Sequence, residues 1–390
     1  MAKYTKTKIA CYTGYFVQAI IVGFLPLLFV SFNRDYGISF EKLGALAVFI
    51  FVVQLGVDLL SVKFLKYIGY RGGALLAHVT ASAGFIMLAF LPEIMADKYL
   101  AVVLSSIVFS VGGGLVEVII SPIIEYLPVR EENKAAQMSL LHSFFCWGTV
   151  ITIFLTTVLL GVLGRENWRY ISLLWAAVSA VNIILFSFVP IVEPSEREQQ
   201  KAQKEILRSP VFYAIMLLML SAGAAEISVS QWASTFAETG LRLSKTTGDL
   251  LGPGIFAVLM GAGRLLFGIY GTRLKIERVM LLSGVLCFTS YILIFLNLNA
   301  VISLVACALC GLSVSIMWPG ALSIGAKKFP LGGTLLFGAA AAFGDTGCSV
   351  GPYLMGVMTE RGSMPLGFLV CSIFPLLIIA LSLYFARIKK

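Results

Sequence analysis

The chain has 390 residues, of which 59% are apolar and 13% are charged, and its mean hydropathy is +0.93. A soluble globular protein has about 45–50% apolar and about 25% charged residues, so this composition excludes an ordinary soluble enzyme. The net charge of +9 is distributed between the apolar runs and forms no basic patch, so no nucleic-acid partner is expected. The composition predicts a protein that crosses the lipid bilayer several times.

The apolar runs each approach the roughly 20 residues that a helix needs to cross a bilayer. Twelve such runs lie at 9–31, 43–62, 73–92, 99–124, 137–162, 169–192, 211–236, 249–271, 277–297, 300–326, 333–358 and 365–387. One long hydrophilic stretch, 193–209, separates the sixth run from the seventh. We therefore predict an all-α integral membrane protein with 12 transmembrane helices in two pseudo-symmetric six-helix bundles, 1–192 and 210–390, joined by a cytoplasmic linker.

The distribution of positive charge predicts the orientation of these helices. Most of the 29 Lys and Arg residues lie in loops on one side of the predicted spans, for example Lys63, Lys66 and Lys327. Loops that are rich in Lys and Arg stay in the cytoplasm. We expect a multi-pass protein of the plasma membrane with both termini in the cytoplasm.

Weak internal repetition supports the division into two halves. Asp58-Leu-Leu-Ser in the second span corresponds to Arg264-Leu-Leu-Phe in the eighth. The fourth span contains Gly114 followed by Ser121-Pro, and the tenth contains Gly311 followed, at the same spacing, by Trp318-Pro. Parallel repeats of this kind are typical of transporters that are built from two similar halves.

The loop between the second and third spans, with Lys63, Lys66, Gly69 and Arg71, resembles the cytoplasmic signature of the major facilitator superfamily. It departs from that signature at Lys66-Tyr67, where the family usually has an acidic and then a basic residue. The segment 112–122 has three glycines, then Glu117, then Ser121-Pro122, and His142 follows in the fifth span. This pattern is similar to the fucose permease branch of sugar:proton symporters, which usually has an asparagine where Ser121 stands.

Ionisable groups inside spans are costly in lipid and therefore mark functional positions. Glu117 and His142 lie at similar predicted depths on antiparallel helices and are candidates to share or relay a proton. Asp345 in the eleventh span is a candidate for a second proton or cation group, although the glycines around it also fit simple tight helix packing.

Solute-binding residues are predicted mainly on the spans that surround the cavity in the superfamily. In the seventh span, Glu226, Gln231 and Trp232 offer a carboxylate, an amide and an indole face, which suit a hydroxylated ring. The resemblance implies that the first, fourth, seventh and tenth spans line the cavity, which adds Tyr15, Gln18, Glu117, Ser121, Ser315 and Trp318.

Three charged residues are predicted to act in gating, because the resemblance implies that their helices close the cytoplasmic side. Asp58 and Arg264 occupy corresponding positions in the two halves, near the inner ends of the second and eighth spans. Arg71 belongs to the loop that resembles the superfamily signature. Charge pairs at such positions can break and re-form between two states.

The leading hypothesis is a secondary active transporter that takes up a sugar or similar small polar solute with protons. Efflux of a drug or metabolite by antiport is the alternative. An antiporter is expected to have a glycine-rich run ending in Gly-Pro in its fifth span, and this run is missing after Gly148. The chain has no HExxH motif and no Walker loop, so neither enzyme activity nor a cofactor is expected. The seven cysteines lie within apolar runs, which argues against a metal site. We expect a monomer in the bilayer.

Overall fold

The computed structural model describes residues 4–38, 40–193, 203–237, 250–361 and 363–387, and these residues are almost entirely helical. Most of the predicted linker 193–209 therefore lies outside the described residues. The first helices are α1 (Thr5–Leu27), α2 (Phe29–Tyr36), α3 (Phe40–Ile94), α4 (Lys98–Glu125), α5 (Glu131–Leu163) and α6 (Trp168–Phe188).

Further helices follow in the second half of the chain. They are α7 (Pro210–Thr235), α8 (Ile255–Tyr270), α9 (Ile276–Leu296), α10 (Ala300–Val314), α11 (Met317–Lys328), α12 (Gly333–Arg361), α13 (Met364–Cys371) and α14 (Ile373–Arg387). A π-helical turn, Leu250–Gly254, precedes α8.

The helices form two compact units. The first unit contains Met1–Pro128 and Phe144–Glu196, and the second contains Val129–Ser143 and Arg197–Lys390. The beginning of α5 therefore packs with the second unit, whereas the rest of α5 packs with the first.

Ten segments of the described residues are long and apolar enough to cross a membrane. Two of the twelve predicted spans are not among them. The predicted span 43–62 lies in α3, where Phe49–Ser61 is a shorter apolar helix, and 333–358 lies in α12, whose glycines and Asp345 lower its apolar character. The structure thus shows an all-helical, multi-pass membrane protein.

Large apolar side chains on the outside of the units fit this assignment. Phe154, Val162 and Phe188 keep 69%, 77% and 84% of their surface exposed. Such exposure is unfavourable in water but costs nothing against lipid chains. These helix faces are therefore surfaces for the bilayer.

Within the first unit, α3 packs closely against α4 because glycines stand where the two helices approach. A Cβ on Gly84 would collide with the backbone of Phe109, and one on Gly112 would collide with the backbone at Ala77. The rings of Phe85 and Phe109 stack with centroids 5.1 Å apart. Small residues at helix interfaces are the usual means of close packing in membranes.

Within the second unit, α7 and α12 pack by the same principle. A Cβ on Gly223 would meet the backbone of Gly344, and one on Gly347 would meet the backbone of Leu220. The Tyr291 hydroxyl of α9 donates a hydrogen bond of 2.8 Å to the Ala225 carbonyl of α7. The glycines around Asp345 thus have a clear packing role.

The loop that carries the superfamily-like signature is a kink inside α3. Gly69 has φ +67°, a conformation that side chains with a Cβ rarely adopt. The next peptide N–H, at Tyr70, donates a hydrogen bond of 2.8 Å to the Glu193 carboxylate. Arg71 then donates hydrogen bonds to the carbonyls of Phe186 and Ser187, at 2.7 and 2.8 Å, and of Val189, at 2.7 Å. Arg71 therefore caps the carboxyl end of α6, where carbonyls lack helical partners.

We expect Arg71→Ala to destabilise the protein by about 2–4 kcal/mol, because it removes three charge-assisted hydrogen bonds from a half-buried helix end. Arg71→Lys keeps the charge but cannot reach three carbonyls at once, so its loss should be smaller. The unfolding temperatures of the purified proteins in one detergent should decrease in the order parent, Arg71→Lys, Arg71→Ala. Equal unfolding temperatures for Arg71→Ala and the parent would contradict the capping role.

Candidate functional site

A polar strip runs along the contact between α1 and α4 in the first unit. The Tyr15 hydroxyl and the Ser121 hydroxyl lie 2.8 Å apart in a buried hydrogen bond. Both residues belong to the predicted solute-binding set, and the structure brings them together. Glu117 lies one helical turn from Ser121 on the same face of α4, because residues four apart are neighbours on a helix.

One further turn along α4, two glutamine side chains meet at Gly113. A Cβ on Gly113 would lie only 2.9 Å from Gln18 Oε1 and would collide with Gln54 Nε2. Gln18 and Gln54 keep 5% and 1% of their surface exposed. Gln18 Oε1 and Gln54 Nε2 have no hydrogen-bond partner among the described residues.

Gln54 was missed by the sequence reasoning, which considered mainly ionisable groups inside spans. The available signal was an amide within an apolar run, one turn before Asp58. Asp58 is itself fully buried on α3, and its carbonyl accepts a hydrogen bond of 2.7 Å from Ser61. The α1, α3 and α4 helices therefore enclose a set of amide, hydroxyl and carboxyl groups.

His78, the other histidine of the chain, joins three helices of the first unit. Its Nδ1 donates to the Ala74 carbonyl at 2.7 Å, and its Nε2 accepts from Asn182 Nδ2 at 2.7 Å. Asn182 Nδ2 also donates to the Ala10 carbonyl at 3.2 Å. Both ring nitrogens are used in hydrogen bonds, one of which joins α3 to α6, and this indicates a structural role for the residue.

Arg264 is the centre of a second polar cluster, within the second unit. Its Nη2 forms an ion pair of 3.1 Å with Glu226 Oε2 on α7. Its Nε donates to the Ser315 carbonyl at 2.9 Å, and its Nη1 makes a weaker contact of 3.4 Å with the His142 carbonyl. Arg264 keeps only 3% of its surface exposed. The structure thus joins three predicted residues, Glu226, His142 and Ser315, through one guanidinium.

The Ser315 carbonyl can accept a hydrogen bond from Arg264 because the helix breaks at this point. In a continuous helix that carbonyl would accept from the N–H of residue 319, but Pro319 has no N–H. Accordingly α10 ends at Val314 and α11 begins at Met317. The Ser315 hydroxyl turns back to the Leu312 carbonyl at 2.6 Å, so the backbone of Ser315 is what contacts Arg264.

The beginning of α5 contributes to this cluster through its backbone and Ser139. The Ser139 hydroxyl donates a hydrogen bond of 2.8 Å to the Arg264 carbonyl. His142 is 4% exposed. Because Glu117 belongs to the first unit and His142 to the second, the proton relay between them stays a prediction.

The remaining predicted residues have separate neighbours. The Trp232 indole packs against Gly356 of α12, with Cζ2 3.4 Å from where a Cβ would stand, so it has a different neighbour from Glu226. Gln231 is exposed. The Trp318 indole covers Gly344 of α12, directly before Asp345, which is 6% exposed. A common cavity for these side chains of α7 stays a prediction.

We expect Gln54→Leu to leave the stability of the protein unchanged or to raise it by about 1 kcal/mol. The substitution removes a buried amide nitrogen that lacks a partner, and such groups cost about 1–3 kcal/mol. We also expect transport to fall, because a buried amide without a partner is costly in a membrane and is therefore a candidate to bind solute. The measurements are thermal unfolding and solute uptake of the same preparation. Full uptake by the variant would assign Gln54 to packing alone.

The chain is similar to a known protein family and to several solved structures. Residues 11–336 match the family model of the Major Facilitator Superfamily. The fold is similar to the fucose:proton symporter FucP of E. coli, with a TM-score of 0.81 and 14% identity over 99% of this chain and 100% of that chain. It is also similar to the proton:xylose symporter XylE, with a TM-score of 0.80 and 12% identity over 100% and 96% of the two chains.

A third similar structure is the human organic anion transporter MFSD10, with a TM-score of 0.76 and 15% identity over 97% of this chain and 99% of that chain. No curated protein sequence matches the chain. The resemblance inferred from the sequence motifs is confirmed at the level of the superfamily. The chain belongs to the Major Facilitator Superfamily.

Proposed function

We propose that the protein is a proton-coupled symporter that takes up a sugar or similar small polar solute by alternating access. The proposal includes 12 membrane-spanning helices in two bundles, 1–192 and 210–390, with both termini and the linker 193–209 in the cytoplasm. It places the protein in the plasma membrane as a monomer. Membership of the superfamily and fold similarity to FucP and XylE support this function.

The observation that carries the proposal is the polar strip of the first unit. The Tyr15–Ser121 hydrogen bond and the Gln18 and Gln54 amides lie in the membrane region, where each polar group is costly unless it has a role. Hydroxyl and amide groups are the natural partners of sugar hydroxyls, since each can donate and accept. Glu117 lies on the same strip.

In the proposed cycle, Glu117 takes up a proton together with the solute and releases it to the cytoplasm. A protonated carboxyl group can donate a hydrogen bond, whereas an ionised one only accepts, so the bonds around Glu117 differ between the two states. A solute that binds one state better shifts the population of conformations toward that state. His142 and Asp345 are the further proton-coupling residues of the proposal.

The other predicted roles are parts of the same proposal. Glu226, Gln231, Trp232, Ser315 and Trp318 are assigned to solute binding. Asp58, Arg71 and Arg264 are assigned to gating, and the capping of α6 by Arg71 gives that residue a structural role as well. Small-molecule solute, protons and lipid are the partners that this function requires.

The test is proton movement in reconstituted vesicles while neutral and acidic sugars are added in turn. We expect one class of sugar to drive proton entry, and we expect Glu117→Gln to abolish that proton flux. Solute exchange across the membrane should continue in this variant, since exchange needs no net release of protons.

Glu277→Gln is the matched control, because Glu277 is a carboxylate of the second unit that is paired with Lys327 at 2.7 Å outside the proposed site. Its proton flux should equal that of the parent. Absence of proton movement with every sugar, in vesicles shown to be sealed and oriented, would reject symport of this solute class and favour efflux by antiport.

A further inference from the structure

Two buried amides of the first unit meet at one point of α4. Gln54 Nε2 and Gln18 Oε1 both lie within 3.0 Å of the position that a Cβ on Gly113 would occupy. The two side chains keep only 1% and 5% of their surface exposed, and they come from different helices, α3 and α1. Because Gly113 has no Cβ, two side chains can reach the same patch of the α4 backbone.

Close helix packing fixes where the two amides stand. Val57 Cβ and the Gln54 carbonyl oxygen lie 2.9 and 3.1 Å from the position of a Cβ on Gly114, so the backbone of α3 packs directly on α4. On the other side, the hydrogen bond of 2.8 Å between Tyr15 and Ser121 links α1 to α4. Both amides are therefore carried by helices with a defined approach to α4, and such preorganisation lowers the cost of binding a ligand.

The two amide atoms that meet at Gly113 are a donor and an acceptor. Gln54 Nε2 offers N–H groups and Gln18 Oε1 offers lone pairs. Neither atom has a hydrogen-bond partner within the part of the chain that the structure describes, and both are shielded from solvent. An unpaired polar atom in the membrane region costs free energy. The two atoms together therefore suit a ligand group that accepts from one amide and donates to the other.

We propose that one hydroxyl group of the solute bridges these amides, accepting a hydrogen bond from Gln54 Nε2 and donating one to Gln18 Oε1. One oxygen can reach both atoms, since they flank a single point and hydrogen bonds to a hydroxyl are about 2.7–2.9 Å long. The inference deepens the proposed symport and rests on it. The solute is then a sugar or polyol with an unsubstituted hydroxyl at the position that enters between the amides.

Other common polar groups cannot satisfy both amides with one atom. A carboxylate, carbonyl or ether oxygen only accepts, so it would leave Gln18 Oε1 facing another lone pair. An ammonium group only donates, so it would leave Gln54 Nε2 without an acceptor. A solute analogue that lacks the hydroxyl leaves both amides unpaired, which is the basis of strong discrimination between similar ligands. Gln18 and Gln54 are therefore assigned to specificity for a hydroxyl group.

The first experiment measures the Kd of the purified protein for D-glucose, D-galactose, D-xylose and fucose. The sugar that binds most tightly is then compared with its monodeoxy and monodeoxyfluoro analogues, one ring position at a time. At one position we expect the deoxy analogue to bind about 10–100-fold more weakly, since two hydrogen bonds are lost. The deoxyfluoro analogue should also bind more weakly there, because fluorine cannot donate.

Two leucine variants separate the two hydrogen bonds. Gln18→Leu removes the acceptor, so the preference for the sugar over the deoxyfluoro analogue at that position should shrink to less than about threefold. Gln54→Leu removes the donor, so the sugar should bind more weakly but keep its preference over the deoxyfluoro analogue. A general loss of packing would not produce this crossed pattern. A preference in Gln18→Leu equal to that of the parent would overturn the inference.

Gly113→Ala tests the meeting point of the amides. The added Cβ collides with Gln54 Nε2 and displaces it, so the hydroxyl preference at that position should be lost. Gly56→Ala is the matched control, because a Cβ on Gly56 would have no neighbour within 4 Å among the described residues outside its own turn of helix. It should bind the sugar as the parent does. The leucine variants add no backbone clash and decide the test where Gly113→Ala impairs folding.

The outcomes separate this inference from the proposed function. Equal binding of all deoxy analogues by the parent would assign the amides to water or to packing and reject the hydroxyl site, while proton-coupled sugar uptake would still retain symport. Unchanged analogue preferences in both leucine variants would reject the site in the same way. Absence of sugar binding together with absence of proton movement would reject the proposed function itself and with it this inference.

Discussion

The hydrogen bond from Arg264 to the Ser315 carbonyl is the contact on which the polar core of the second unit depends. Pro319 removes the N–H that would otherwise satisfy this carbonyl, and in a membrane a free carbonyl must find another donor. The guanidinium supplies that donor and brings a charge with it. The same guanidinium forms an ion pair of 3.1 Å with Glu226, so the residue that binds the carbonyl at the helix break also links α8 to α7.

The first unit meets the same constraint without a buried cation at its polar strip. Tyr15 and Ser121 satisfy one another, and His78 and Asn182 link three helices through defined hydrogen bonds. Its glutamine amides at Gly113 are the exception, because two of their atoms lack partners among the described residues. The two units thus use related sequences for different chemistry: amide, hydroxyl and carboxyl groups in the first and an arginine–glutamate pair in the second.

The sequence alone predicted a helical, multi-pass membrane protein of this superfamily, whereas the roles of its ionisable residues stay predictions. Apolar runs predict helices reliably because lipid forces the backbone to satisfy its own hydrogen bonds. The sequence did not show which polar side chains contact one another, since the rotation of each helix about its axis depends on packing. The contact of Trp232 with Gly356 and the ion pair of Glu226 with Arg264, for example, are visible only in the structure. Gln54 was overlooked because it lies in the second span, which was not among the spans expected to line the cavity.

Packing and recognition place different demands on this chain. Gly84, Gly112, Gly223 and Gly347 allow backbones to approach, and many small or apolar residues could serve the remaining helix surfaces equally well. Recognition of a solute depends on a few polar side chains, each of which needs a hydrogen-bonding partner or an opposite charge. A superfamily can therefore keep one fold at low sequence identity while its members differ in solute. In the second unit the balance of charge is set around Arg264, which pairs with Glu226 and binds the Ser315 carbonyl at a helix break.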